Sequence, residues 1–551
     1  MTVNKLVGVA ALALIAASCG EDPALTAALD MMTAEELAAH VEILSADSLE
    51  GRGPSSVGEE RTIAYLEQQF RAIGLEPGNG DSYLQEVPLV SITARPDARL
   101  TIAGGGRTTS YRYGREFMAW TTRVVSQSTL NASEMVFVGY GIVAPEYDWN
   151  DYAGVDVTGK TVVILVNDPG FATKDTALFS GNAMTYYGRW TYKYEEAARQ
   201  GAAGALIIHE TEAAGYPWAV VESSWSGPQF DLVRDDNNMS RVAVEGWLTL
   251  DAADAVFTQA GLDRDSLAQL AHTRDFRAVA MPLRASVRLR NTLRRSTSNN
   301  VLGVLPGGER ADEFVVYMAH WDHLGIDPSL EGDQIYNGAL DNATGTAGLL
   351  ELAKAFASLE ARPPRSILFL AVTAEEQGLL GSAHYAANPT VPLATTVAAI
   401  NMDGLNIYGP MNDVTVIGLG NSELDDYLEA AARQQGRRVR PDPEAEKGFY
   451  FRSDHFNFAK QGVPALYTDQ GIDHVEHGEA WTMERRAEYT AENYHKPSDE
   501  YDVNWDLTGA VDDLRLLFRV GYTLAQESTF PNWREGVAFK AKRDSVLAGG
   551  E

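Results

Sequence analysis

The sequence predicts an α/β protein whose mixed, largely parallel central sheet is covered by helices and interrupted by an inserted β-rich domain. Three observations lead there. From residue 299 onward short apolar runs alternate with longer segments of helical spacing, the pattern of a parallel sheet covered on both faces. Residues 130–285 carry short β-rich runs with no cluster of His, Cys and carboxylates. The polar groups that could do chemistry follow directly on apolar runs, as they do beyond the carboxyl ends of strands in α/β sheets.

At 551 residues the chain exceeds one compact core, given roughly 150 residues per domain. Acidic residues outnumber basic ones 76 to 45, a net charge of −31, which argues against nucleic acid or an anionic membrane as the main partner. Residues 1–18 combine Lys5 with an apolar run from Leu6 to Ala17 that is too short to span a bilayer, the layout of a signal peptide. "IAASC" resembles a lipobox, with Ala16 where the usual Leu stands. An exported protein is therefore expected, periplasmic or anchored to the outer membrane by a lipid on Cys19, with 19–30 as a tether. Cys19 is the sole cysteine, so an intramolecular disulfide is excluded.

Residues 31–129 read as the N-terminal part of the main domain. Two helical segments flank the Gly-rich "EGRGPSS"; Thr33 with Glu36 fits a capping box, and Gly74 with Pro77 brackets the second helix's end. In 130–285, "EMVFVGYGI", "GKTVVILVND" and "GAAGALIIHE" are strand-like, and "YKYEEAARQGAA" is helical. An insert of this kind packs or shapes access to a cleft. The main part, 286–545, runs "EFVVYMAH", "TAGLLELAKAFASL", "SILFLAV", "TTVAAINMD", "SELDDYLEAAARQQG" and "VPALYTD".

The strand-like runs end in His320, Asp322 and His323, in Glu375 and Glu376, and in Asp403; loops add Asp341 and His495. Oxygen and imidazole donors without a thiolate suit Zn²⁺ or a similar ion in a catalytic site. There are enough of them for two metals sharing a carboxylate. Two dications are balanced by three ligand carboxylates and a shared hydroxide, leaving a fourth carboxylate free as a base. Neighbouring residues on an extended chain point opposite ways, so Glu375 and Glu376 are expected to have separate jobs.

"HWDH", "GALDNATG", "AEEQGLLGS", "NMDG", "SDHFNF" and "YHKPSD", in this order, resemble the M28 family of zinc aminopeptidases, and 130–285 resembles the protease-associated (PA) domain inserted in its bacterial members. The resemblance implies a zinc-peptidase-like fold and two zinc ions. It assigns His320 and Asp403 to one, Glu376 and His495 to the other, and Asp341 to both, with peptides as substrates. It makes Glu375 the general base toward a metal-bridging hydroxide nucleophile, sets Asp322 behind His320 as an acceptor, and lets Tyr494 bond the developing oxyanion. His323 and His455 are expected behind the ligands or in the substrate pocket, and His474 and His477 at its rim, with Asp473 and Glu476 near a substrate ammonium group. Asp454 and Asp499 are expected to accept hydrogen bonds from loop backbone. A glutaminyl-cyclase-like enzyme with one zinc, a carboxypeptidase-type member and a metal-free binding protein are the alternatives.

Overall fold

The computed structural model describes residues 23–97 and 99–549. The expected leader over 1–18 and Cys19 lie outside the described residues. The main sheet contains β1 (Leu84–Pro96), β2 (Val279–Leu305), β3 (Arg310–His320), β4 (Arg365–Val372), β5 (Thr396–Asn401), β6 (Asp413–Val416), β7 (Arg438–Pro441) and β8 (Ala465–Asp469). Its spatial order is β1-β2-β4-β3-β5-β8-β6-β7. β4, β3, β5 and β8 are mutually parallel, while β1 with β2, β2 with β4, and β8 with β6 pair antiparallel. A mixed, largely parallel sheet is thus what the alternating pattern produces.

Side-chain alternation divides the sheet between two cores. Val315, Tyr317 and Ala319 of β3 and Ile367, Phe369 and Ala371 of β4 face one core. Helices α1 (Pro23–Asp30), α2 (Ala34–Leu44), α3 (Val57–Ile73), α4 (Thr344–Ala357), α5 (Leu424–Gln434) and α6 (Thr508–Gln526) also bury residues there. Val316, Met318, Leu368, Leu370 and Val372 face the other way, onto Tyr385 and the Phe456–Phe458–Ala459 stripe. All eight residues of β4 and all six of β5 are buried, as strands covered on both faces must be.

The helix ends are set locally. Thr33 Oγ1 accepts from the Glu36 N–H at 3.3 Å, and Gly74, with φ 89°, closes α3 in the left-handed conformation that glycine tolerates.

Two boundaries differ from the sequence-based expectation. The tether expected over 19–30 is helical from Pro23, because Leu25, Ala28 and Leu29 fall on one helical face and pack on the main core. The insert also begins earlier than 130. β1 and β2 form a continuous ribbon, from Leu84 opposite Val301 to Pro96 opposite Leu289, which carries the chain out of the main sheet. Beyond it Leu100, Ile102, Tyr111, Phe117 and Ala119 share a core with Met135, Phe137, Val163, Leu206, Phe257 and Leu289. Residues 99–129 therefore pack with the insert rather than with the N-terminal helices. The insert's own sheet includes the parallel strands Thr161–Leu165, Gly204–His209 and Val244–Thr249.

The insert docks back through Leu232, which clusters with Ala374 and Leu380, and through residues 184–195. Met184 N–H donates to Ala445 O (3.2 Å), the Tyr186 ring lies 5.1 Å from that of Phe456, and Lys460 Nζ reaches Glu195 Oε1 at 2.9 Å.

Candidate metal centre

Three neighbouring strands deliver the polar groups to one edge. His320 is the last residue of β3, Glu375 and Glu376 follow β4, and Asp403 follows β5. Trp321 N–H donates to Val372 O (2.9 Å) and Glu375 N–H to Asp322 Oδ1 (3.0 Å), so the ends of β3 and β4 are sewn together. Ala374 has φ 52°, and the N–H groups of Gly378 and Leu379 both return to Glu375 O at 2.8 Å. The two acids therefore lie on a tight turn. Their separation comes from this turn and not, as expected, from strand alternation.

Asp341 comes from the loop before α4, and its peptide bond to Asn342 is cis. Asn342 ties that loop to the exit of β5: its Nδ2 donates to Met402 O (3.0 Å), and its Oδ1 accepts from the N–H groups of Gly345 and Gly404 (2.9 Å each). Asp499 accepts from the N–H groups of Leu340 (3.0 Å) and Asp341 (3.1 Å), the loop-backbone role expected of it. Ser453 Oγ donates to Asp403 Oδ2 at 2.5 Å.

The resulting geometry centres on Asp341. Its Oδ1 lies 3.3 Å from His320 Nε2, which is 3.2 Å from Asp403 Oδ1. Its Oδ2 lies 3.3 Å from His495 Nε2, which is 3.1 Å from Glu376 Oε2. One carboxylate thus turns one oxygen to each of two groups of donors. His323, placed by the sequence outside the ligand set, stands in the second group with Nδ1 at 2.5 Å from Glu376 Oε1, so each oxygen of Glu376 has its own imidazole.

Asp322 meets His320 through its main chain. His320 Nδ1–H donates to the main-chain oxygen of Asp322 (3.1 Å), while the Asp322 carboxylate is 3.8 Å away and accepts from the Glu375 peptide instead. The tautomer that leaves His320 Nε2 facing Asp341 and Asp403 is nevertheless fixed. The Tyr494 ring stacks on that of His495 at 3.9 Å. The Glu375 carboxylate has no hydrogen-bond or ion-pair partner among the described residues.

Charge crowding shows in the titration. Burial raises Glu375 well above the usual carboxylate range, reinforced by Asp403 and Glu376, and burial pushes Asp322 up to about 8. Burial lowers the His495 imidazole, but its bonds to Asp341 and Glu376 outweigh this and leave it at about 10. Burial also raises Glu376, yet His323 and His495 bring it to about 2.

The other candidates lie elsewhere. His474 accepts from the N–H groups of Glu476 and His477 (3.0 Å each) and donates to Tyr408 O (3.0 Å), and its ring stacks on His477. Both its nitrogens hold the loop together. Asp473 pairs with Arg438 at 2.7 Å and so is not a free acid for a substrate ammonium. Asp473, Asp413 and Glu479 converge, but each is already paired with Arg438 or Arg440. Asp454 accepts from Ser382 Oγ (2.6 Å), a side chain rather than the expected backbone. His455 sits between Tyr450 and Tyr467, and burial drives it down to about 3, so it stays neutral.

One residue escaped the sequence reading. Arg52, in "EGRG", is fully buried and donates only to carbonyls: Nε to Trp321 O (2.8 Å), Nη1 to Leu44 O and Asn337 O (2.6 Å each), and Nη2 to Gly338 O (2.8 Å). It clamps the segment between His320 and Asp322 to the one before Asp341 and brings a positive charge behind the acids. The signal was an arginine amid turn glycines, where a solvent-exposed side chain is the ordinary expectation.

The donor set fits divalent metal. Asp322, Asp341, Glu375, Glu376 and Asp403 are crowded together, and Asp322 Oδ2 and His323 Nε2 lack a hydrogen-bond partner among the described residues. Hard oxygen and imidazole donors without thiolate are what zinc takes in a catalytic site. This donor set lies at the carboxyl edge of the parallel strands, where α/β sheets gather their functional groups.

Residues 300–518 match the family model described as peptidase family M28. Aminopeptidase NAALADL1 of Mus musculus is 37% identical over 153 residues, 27% of this chain and 18% of that one. Aminopeptidase YwaD of Bacillus subtilis is 33% identical over 112 residues, 20% of this chain and 22% of that one. The matched stretches thus span about a fifth of the length of these curated relatives. The solved aminopeptidase from Aneurinibacillus sp. strain AM-1 is 20% identical over 92% of this chain and 97% of its own, with a TM-score of 0.47.

Two predictions follow from the centre's surroundings. Arg52→Met strands several buried carbonyls, each worth about 1–3 kcal/mol when left unpaired. It should lower the thermal midpoint and weaken zinc retention in a dialysis assay, and unchanged values would contradict the clamp. The second concerns pH. Asp322 (about 8) and His495 (about 10) keep protons in the folded state that the unfolded chain releases near its ordinary values of 3.8 and 6.5. More protons bound in the folded state means that the metal-free protein loses stability as pH rises from 6 to 8. Metal displaces those protons, so the zinc-induced rise in thermal midpoint should be larger at pH 8 than at pH 6.

Proposed function

We propose that the chain is an exported aminopeptidase that removes N-terminal residues from peptides and holds two zinc ions. The observation that carries this reading is the division of the Asp341 carboxylate between His320 with Asp403 and His495 with Glu376. His320 and Asp403 would hold one ion, Glu376 and His495 the other, and Asp341 both. Zinc bound there supplies Lewis acidity, polarising a carbonyl and lowering the pKa of water to about 7.

The remaining steps belong to the chain's own side chains. Glu375, whose carboxylate is unpaired among the described residues, takes a proton from the attacking water and returns it to the leaving amine. Asp322 aims it by holding its peptide N–H. Burial keeps the Tyr494 phenol protonated, as a donor to the developing oxyanion must be. The insert docked at 184–195 limits what approaches the edge of the sheet. Export and a lipid on Cys19 rest on the N-terminal sequence alone; no helix among the described residues is long and apolar enough to cross a membrane.

Glu375→Gln should bind zinc normally and lower kcat on aminoacyl p-nitroanilides by about 10²- to 10⁴-fold. Undiminished hydrolysis would remove Glu375 from the mechanism. Asp341→Ala should drop bound zinc from two ions per chain to one or fewer by elemental analysis. A wild-type content of one favours the cyclase-like alternative.

A further inference from the structure

The seam between the insert and the peptidase core holds two arginines that the proposed reaction does not use. Arg189 ends the short turn Tyr186–Gly188 and begins the helix Trp190–Arg199. Arg452 follows the turn Phe449–Phe451. The turns touch: the Tyr186 ring lies 6.3 Å from that of Phe451 and 5.1 Å from that of Phe456. Each arginine therefore flanks an aromatic contact across the seam, one from each module.

Neither has an anionic partner. Arg189 Nε is buried with no hydrogen bond, and the charged or titratable groups within its electrostatic reach are Arg452 and the phenol of Tyr216. Arg452 is exposed, lies over the Phe449 ring at 5.1 Å, and forms no ion pair among the described residues. In a chain with 76 acids and 45 basic residues, two neighbouring arginines without a carboxylate are out of keeping with the rest of the surface. Like charges in a partly desolvated seam repel, and an anion between them relieves that cost.

The seam also adjoins the metal centre. Ser453, next in the chain after Arg452, bonds Asp403, and Arg452 acts electrostatically on Tyr494, whose ring lies on His495. The guanidinium fork matches a carboxylate in shape and charge.

We propose that Arg189 and Arg452 together receive a carboxylate of the peptide substrate, so that the enzyme prefers anionic peptides. This rests on the peptidase reading above. The carboxylate has two sources, an acidic side chain or the free C-terminus of a short peptide.

The test uses the zinc-loaded full chain with Leu-Leu-amide, Leu-Leu, Glu-Leu-amide and Leu-Glu-amide. The wild type should favour at least one carboxylate-bearing peptide over Leu-Leu-amide by about tenfold in kcat/KM; Leu-Leu marks the C-terminus as the source, the Glu peptides the side chain. Arg452→Gln and Arg189→Gln should each cut that ratio by about tenfold, chiefly through KM, and Arg189→Lys should restore part of it. A wild type without preference, or a ratio unchanged in both variants, overturns the proposal. Should Arg189→Gln lose its cooperative melt, Arg452→Gln decides alone, because its side chain is exposed. If the wild type hydrolyses none of the four, the peptidase reading fails and binding decides instead. Calorimetry should then show Glu-Leu-amide binding the wild type more tightly than Leu-Leu-amide, with the difference lost in Arg452→Gln; equal affinities overturn the arginine assignment.

Discussion

Like charge held together in a buried space is the constraint on which this structure turns. The carboxylates of Asp322, Asp341, Glu375, Glu376 and Asp403 are brought to one edge of the sheet, where a free chain would keep them apart. Three parallel strand ends set their spacing, and hydrogen bonds donated by Asn342 and Ser453 and accepted by Asp499 pin the loops that carry Asp341 and Asp403. Arg52 adds a fixed positive charge bonded solely to carbonyls, so it positions the backbone without pairing off any of the acids. The remaining imbalance is what a divalent cation is suited to meet.

Different parts of this arrangement were legible in the sequence to different degrees. Strand ends were readable because an apolar run that stops in His320, or in Glu375 and Glu376, carries its own signal. So were the caps, since Thr33 and Gly74 act on atoms a few residues away. The contribution of His323 was not, because only the folded chain brings its ring to Glu376. Arg52 was hidden for the same reason: its partners lie near residues 321 and 337. Which atom of Asp322 meets His320 was not legible either: its main-chain oxygen accepts from the ring, while its carboxylate turns to the Glu375 peptide. The start of the insert was missed because no shift in composition marks where β1 leaves the main sheet, and Leu100, Ile102 and Phe117 choose their core through packing alone.

The ribbon of β1 and β2 links these two scales. Its thirteen paired positions join the insert to the strand beside β4, whose end carries Glu375 and Glu376. The insert then folds back so that Tyr186 meets Phe451 and Phe456, close to Ser453 and Asp403. A module without reactive clusters of its own thereby packs against the segment that bonds Asp403.

The central claim is that Asp341 divides its two oxygens between two cations. Anomalous diffraction at the zinc edge from crystals of the zinc-loaded protein tests it most directly. Two peaks, one among His320, Asp341 and Asp403 and one among Asp341, Glu376 and His495, are the predicted result. A single peak, or peaks that leave Asp341 uncoordinated, would contradict it.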